Sequence, residues 1–174
     1  MPGRRLLPRT CLFLLLCLLI GCSRETAPPL KVGDPAPAFT VTDMNGRTVS
    51  STEFAGHPAI VRFFLIDCKF CKADTPVLND LYSRYRDAGL KVVYVETLGV
   101  PDADIRRFVR DLDIRFPVVR DEGAKIATSY NVKSLPLTVV INPQGTIIGA
   151  ILGGISAAEL NRLLAPFLPD TRGQ

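Results

Sequence analysis

The fold turns on Ala59–Lys72, AIVRFFLIDCKFCK. Its first eight residues, Ala59 to Ile66, are apolar except for Arg62, the pattern of a strand buried on both faces. From about Lys69 to Ala88, residues Val77, Leu78, Leu81, Tyr82 and Tyr85 recur at helical spacing, and Gly89 ends that helix. The motif Cys68-Lys69-Phe70-Cys71 therefore sits where a buried strand hands over to a helix. That placement has chemical consequences. A thiolate, not a thiol, attacks disulfides, and unpaired N–H groups at a helix N-terminus stabilise the negative charge. A spacing of three brings the second sulfur one helical turn away, close enough to close a ring. Cys68 is the expected attacking thiol, and Cys71 the buried one that resolves the mixed disulfide.

Working outward, Phe39 to Thr42 and Arg47 to Ser50 flank Asp43-Met-Asn-Gly46 as a β-hairpin around an Asn-Gly turn. Leu90 to Val95 is a second buried strand, ending at Glu96. Asp102 is the expected cap of a helix carrying Ile105, Phe108, Val109 and Leu112. A short strand at Phe116–Val119 and a short helix at Ala124–Tyr130 follow. Leu137–Asn142 and Thr146–Leu152 make a closing hairpin, and Ser156-Ala-Ala-Glu159 is a capping box opening the last helix. This order predicts one α/β domain over residues 32–168, a mixed sheet with helices on both faces and a tail at 169–174.

The 174 residues carry a net charge of +4 and five cysteines. Residues 1–21 read as an export signal: Arg4, Arg5 and Arg9 precede the unbroken apolar run Cys11–Ile20. Ten residues span about 15 Å as a helix, roughly half a bilayer core, which suits a signal and not a stable membrane span. The run stops at Leu19-Ile20-Gly21-Cys22, which resembles the lipobox of bacterial lipoproteins, where the Cys is acylated and the signal is cut before it. Residues 22–31, polar and Pro-rich, are then a tether. Without the signal, 18 basic residues face 17 acidic ones, so nothing in the charge calls for nucleic acid. Cys11 and Cys17 leave with the signal and Cys22 takes lipid, so Cys68 and Cys71 remain as the thiols, outside the cytoplasm where disulfides persist.

Two blander readings of the pair fail on chemistry. A zinc site takes about four ligands, whereas the mature chain offers these two thiols and His57, a turn residue before Pro58. As a purely structural link, a four-residue ring would contribute only about 2 kcal/mol.

The ordered set of motifs resembles a thioredoxin-fold redoxin, close to the membrane-anchored TlpA/ResA-type thiol–disulfide oxidoreductases. It comprises Gly33-Asp-Pro-Ala-Pro-Ala-Phe39, the Asn45-Gly46 hairpin, Cys68-x-x-Cys71 with Pro76, Ser134-Leu-Pro136 before a strand, and Asn142-Pro-Gln-Gly145. The resemblance implies a thioredoxin-like sheet with an N-terminal β-hairpin and a central insertion. It also implies that Pro136 is a cis-proline facing the disulfide, with no bound cofactor. By the same resemblance the chain is a monomer that reduces protein disulfides, draws electrons from an upstream membrane reductant and serves cytochrome c maturation. Departures from the pattern mark the site. Asp67 stands where most relatives have Trp, opposing thiolate formation at Cys68, while Lys69 and Lys72 favour it. Leu137 stands where Thr is common. Arg62, six residues before Cys68, replaces a buried acid or an Asn, and reads as a snorkelling or paired Arg on a partly exposed strand. Glu96 is its candidate partner, or the proton-handling acid near Cys71. A peroxiredoxin-like peroxidase would carry Thr where Leu65 stands. A Sco-type copper chaperone would need one more residue between the cysteines and a His after them.

Overall fold

The computed structural model describes residues 30–169. The expected signal at 1–21, Cys22, most of the expected tether and the tail from 170 onward lie outside the described residues. A two-stranded hairpin, β1 (Thr40–Thr42) and β2 (Thr48–Ser50), precedes a five-stranded sheet. In chain order the remaining elements are β3 (Ala59–Phe64), α1 (Lys69–Tyr85), β4 (Lys91–Glu96), α2 (Asp102–Asp111), β5 (Val118–Arg120), α3 (Lys125–Ser129), β6 (Leu137–Ile141), β7 (Ile147–Leu152) and α4 (Ala157–Leu164). The strands lie in the order β5-β4-β3-β6-β7, with β3, β4 and β5 parallel, and β6 antiparallel to both β3 and β7.

Strand β3 is central and every one of its residues is buried. Alternation along it divides the core in two. Ile60 and Phe64 pack with Cys71, Leu78, Leu81, Tyr94, Ile105 and Leu160, so α1, α2 and α4 cover one face. Val61 and Phe63 pack with Phe39, Val49, Ile126 and Tyr130, so the hairpin and α3 cover the other. The C-terminal ends of β3, β4, β5 and β7 and the start of β6 share one end of the sheet, the end at which α1 begins. That is where open parallel sheets place their sites.

Three local expectations are corrected. Pro101, not Asp102, occupies the N-cap position of α2, which has no side-chain cap, and the Asp102 carboxylate instead pairs with Arg120 at 2.5 Å. The helix expected from Ala124 starts at Lys125, because Ala124 holds a left-handed backbone (φ 52°). The fifth strand starts at Val118, two residues later than expected. Ser156 does cap α4, its hydroxyl accepting from the Glu159 N–H at 3.2 Å. Among the described residues no helix is long and apolar enough to cross a membrane.

Candidate active site

Strand β3 ends at Phe64, and Leu65-Ile66-Asp67 turn the chain into α1. Cys68 is the N-cap residue, with extended backbone angles, and its sulfur accepts from the Cys71 N–H at 3.3 Å. The first thiol thus stands among the unsatisfied N–H groups of the helix start, where negative charge is favoured. Cys68 is partly exposed, whereas Cys71, one turn on, is wholly buried. Both are free thiols. The Cys71 thiol is pushed up to about 11, chiefly by burial and also by a hydrogen bond with Cys68 and that sulfur's charge. A backbone hydrogen bond from Leu65 and the Arg62 charge pull the other way. The site therefore offers one thiol to the outside and holds a second, reluctant to ionise, beneath it.

Pro136 is buried at the start of β6, and the Leu135–Pro136 peptide bond is cis. Its carbonyl accepts from the Gly153 N–H at 2.8 Å, tying the loop after β7 to the proline. Phe70, between the two cysteines, is 47% exposed and packs against Gly154, where an added Cβ would come within 3.2 Å of its ring. Lys69 lies over that ring, 5.2 Å from its centroid. Asp67 is exposed beside Cys68 and, with Lys72, Asp104 and Arg107, lines a cleft of about 460 Å³. His57 sits away from the site against Gly89.

Arg62 departs most from expectation. It is completely buried, on a strand buried throughout, so it neither snorkels nor pairs with Glu96. Its Nη2 donates to Asp74 Oδ2 at 2.6 Å and its Nη1 to Thr138 Oγ1 at 2.5 Å, while its Nε is buried without a partner. The same Asp74 oxygen accepts from the Ile155 N–H at 3.1 Å. The Glu96 carboxylate instead accepts from the N–H groups of Leu98 (2.7 Å) and Gly99 (3.1 Å), shaping the loop beyond β4. Its carboxylate is thus committed to that turn. Beside the ion pair, Thr75 Oγ1 donates to the Cys71 carbonyl at 2.7 Å and lies 3.0 Å from the Tyr94 hydroxyl. Burial raises the Tyr94 hydroxyl well above its ordinary value.

Sequence reasoning missed Asp74, Thr75, Thr138 and Tyr94. The signal for Asp74 was present. It falls three residues after Cys71 on the stripe that continues through Leu78 and Leu81, so an acid there points into the core.

Comparison with known proteins agrees with this geometry. The chain is 29% identical over 174 residues to the thiol-disulfide oxidoreductase ResA of Bacillus thuringiensis subsp. konkukian, covering 97% of this chain and all of that protein. It superposes with a TM-score of 0.70 on the thioredoxin domain of a thiol-disulfide oxidoreductase from Bacteroides vulgatus, at 26% identity over 80% of this chain and 99% of that one. The fold is shared with a thiol:disulfide interchange protein of the thioredoxin family from Chlorobium tepidum, with a TM-score of 0.71 at 22% identity over 79% and 98% of the two chains. The AhpC/TSA family matches residues 32–150. With a thioredoxin-like sheet and a capped, asymmetrically buried Cys-x-x-Cys pair at its active end, this chain belongs to the AhpC/TSA family, and its dithiol site is that of a thiol–disulfide oxidoreductase.

Proposed function

We propose that this protein is a lipid-anchored periplasmic reductant of protein disulfides, working by dithiol–disulfide exchange through Cys68 and Cys71 without a bound cofactor. The observation that carries the reading is the unequal burial of the two thiols, one partly exposed and one wholly buried a helical turn away. A substrate disulfide meets Cys68 first, and Cys71 then displaces the reduced substrate. Exposed Phe70, Leu98 and Leu152 lie at the same end of the sheet and suit a polypeptide substrate better than a small polar one. The likeness to a thiol-disulfide oxidoreductase supports a protein-disulfide substrate, and the proposal extends to a monomer recharged by a membrane reductant, with apocytochrome c haem-site cysteines as substrate.

The direction of electron flow is tested by equilibrating the Cys68/Cys71 pair with glutathione. A potential near −270 mV is expected of a reductant, and one near about −120 mV would make the protein an oxidant. Rapid turnover of peroxide, or tight stoichiometric Cu(I) binding by the reduced protein, would replace this reading with a peroxidase or a copper chaperone.

The anchor rests on Cys22 at the end of the apolar run. Acyl chains contribute about 0.8 kcal/mol per buried CH₂, and two or more hold a protein stably at a bilayer. Cells fed labelled palmitate should tag the wild-type chain and leave Cys22→Ala untagged. Equal labelling of both would remove the lipid anchor from the proposal.

A further inference from the structure

Arg62 is a fully buried cation on the same face of β3 as the helix that carries the cysteines. The register puts it directly between Tyr94 of β4 and Thr138 of β6. Its guanidinium is gripped by Asp74 of α1 and by Thr138, two residues beyond Pro136. Asp74 in turn accepts from Ile155, just past the Gly153 that is bonded to Pro136. The cation is thus clamped from the cysteine helix, the proline strand and the loop after β7 together. Its Nε is a buried donor with no hydrogen-bond partner, and Thr75, which bonds the Cys71 carbonyl and lies 3.0 Å from the Tyr94 hydroxyl, ties Arg62's strand neighbour Tyr94 to the cysteine turn. Buried unpaired donors are costly, and a developing anion nearby would offset that cost.

We propose that Arg62 is a positioning residue for the exchange reaction, a fixed cation that lowers the cost of forming the Cys71 thiolate, and that Asp74 serves to hold it and not to take the Cys71 proton. The inference rests on the dithiol reading above. In the step concerned, Cys71 loses its proton to solvent. Its thiolate attacks the Cys68 sulfur of the mixed disulfide, forming the Cys68–Cys71 bond and breaking the bond between Cys68 and the substrate. The substrate leaves as a thiolate and takes up a proton, and the pair has passed two electrons to it.

Two facts favour a cation over a base. Asp74 Oδ2 already accepts from Arg62 and from the Ile155 N–H, so the carboxylate is turned to the cation and to the loop after β7. The Arg62 charge acts directly on both Cys71 and Tyr94, lowering each. The ionisable groups facing Cys71 are Cys68 at the helix start, Arg62 from β3 and Tyr94 from β4 across Thr75, with Asp74 of α1 behind Arg62.

The test follows release of 5-thio-2-nitrobenzoate from the reduced full-length protein after it reacts with the symmetrical aromatic disulfide. The first equivalent reports attack by Cys68, and the second reports displacement by Cys71. At neutral pH the second rate is proportional to the thiolate fraction of Cys71, so one pK unit changes it about tenfold. Arg62→Gln keeps hydrogen-bonding capacity but removes the cation, and should slow the second release about tenfold or more, with Arg62→Lys near wild type. Asp74→Asn leaves the cation unopposed and should speed the second release. A wild-type rate in Arg62→Gln would overturn the proposal, as would a slower one in Asp74→Asn, the result expected of a general base. Should Arg62→Gln fail to fold, Asp74→Asn decides alone: a faster release supports the cation, and an unchanged or slower one overturns it. Failure of the wild type to release a second equivalent would instead strike at the dithiol reading itself.

Discussion

Replacing Cys68 with serine will bring protein-disulfide reduction down to the uncatalysed background, and Cys71→Ser will abolish turnover while leaving a stable covalent complex with the substrate. The two outcomes differ because the thiols stand in different surroundings. Cys68 is partly exposed at the N-cap of α1, where a substrate disulfide can reach its sulfur. Cys71 has no exposed surface, and burial pushes its thiol up to about 11, so at pH 7 it is held as the thiol. It therefore cannot replace Cys68 against a bulky disulfide. It succeeds in the second step because it attacks a sulfur held one turn away, where proximity compensates for the small thiolate fraction. Reduction of insulin by dithiothreitol, followed by turbidity, measures turnover, and mass spectrometry without reductant detects the adduct. Retained turnover in Cys68→Ser, or no adduct through Cys68 in Cys71→Ser, would refute the assignment. An adduct in Cys68→Ser alone would reverse the roles.

What the sequence disclosed of this site followed from local patterns. The apolar run of β3, the helical spacing of α1 and the Cys-x-x-Cys between them are each read within about a dozen residues, and they fix which sulfur lies at the helix start. The buried ion pair is not local. Arg62 lies 12 residues from Asp74 and 76 from Thr138. Glu96 is the candidate partner in the sequence because it ends the next strand, and β4 does run parallel to β3 and pair Glu96 with Phe64. The register, however, sets Arg62 opposite Tyr94 and so two strand positions from Glu96, and the turn after β4 captures the carboxylate through the N–H groups of Leu98 and Gly99. The start of α3 shows the same limit at smaller scale. Asp121 reaches forward so that its two oxygens accept from the N–H groups of Ile126 (2.9 Å) and Ala127 (2.8 Å). That satisfies the helix start from outside the usual capping position, and Ala124 adopts its left-handed backbone within the intervening turn. Propensity alone would not place Ala there.

The Arg62–Asp74 pair should also dominate the effect of single substitutions on stability. Removing one partner of a buried pair leaves the other charge without compensation, which costs about 3–5 kcal/mol, whereas replacing both with apolar residues is often neutral or better. Asp74→Leu should fall in that range, because Arg62 is fully buried and already carries one unpartnered donor. Arg62→Leu should fall there too, since it strands a carboxylate whose side chain is 10% exposed. The double variant Arg62→Leu/Asp74→Leu should recover most of either loss, because both desolvated charges go and apolar bulk fills their place. Urea unfolding of the reduced proteins measures this as shifts of midpoint at an unchanged slope. A double variant as unstable as the sum of the singles would mean that the pair makes no coupled contribution and that packing at each position is all that matters. Stability and chemistry separate in that double variant. It regains the fold without regaining the cation, so Cys71 must ionise against burial with no guanidinium to offset it. A stable protein whose second thiol responds slowly is the combination that a purely structural ion pair would not produce.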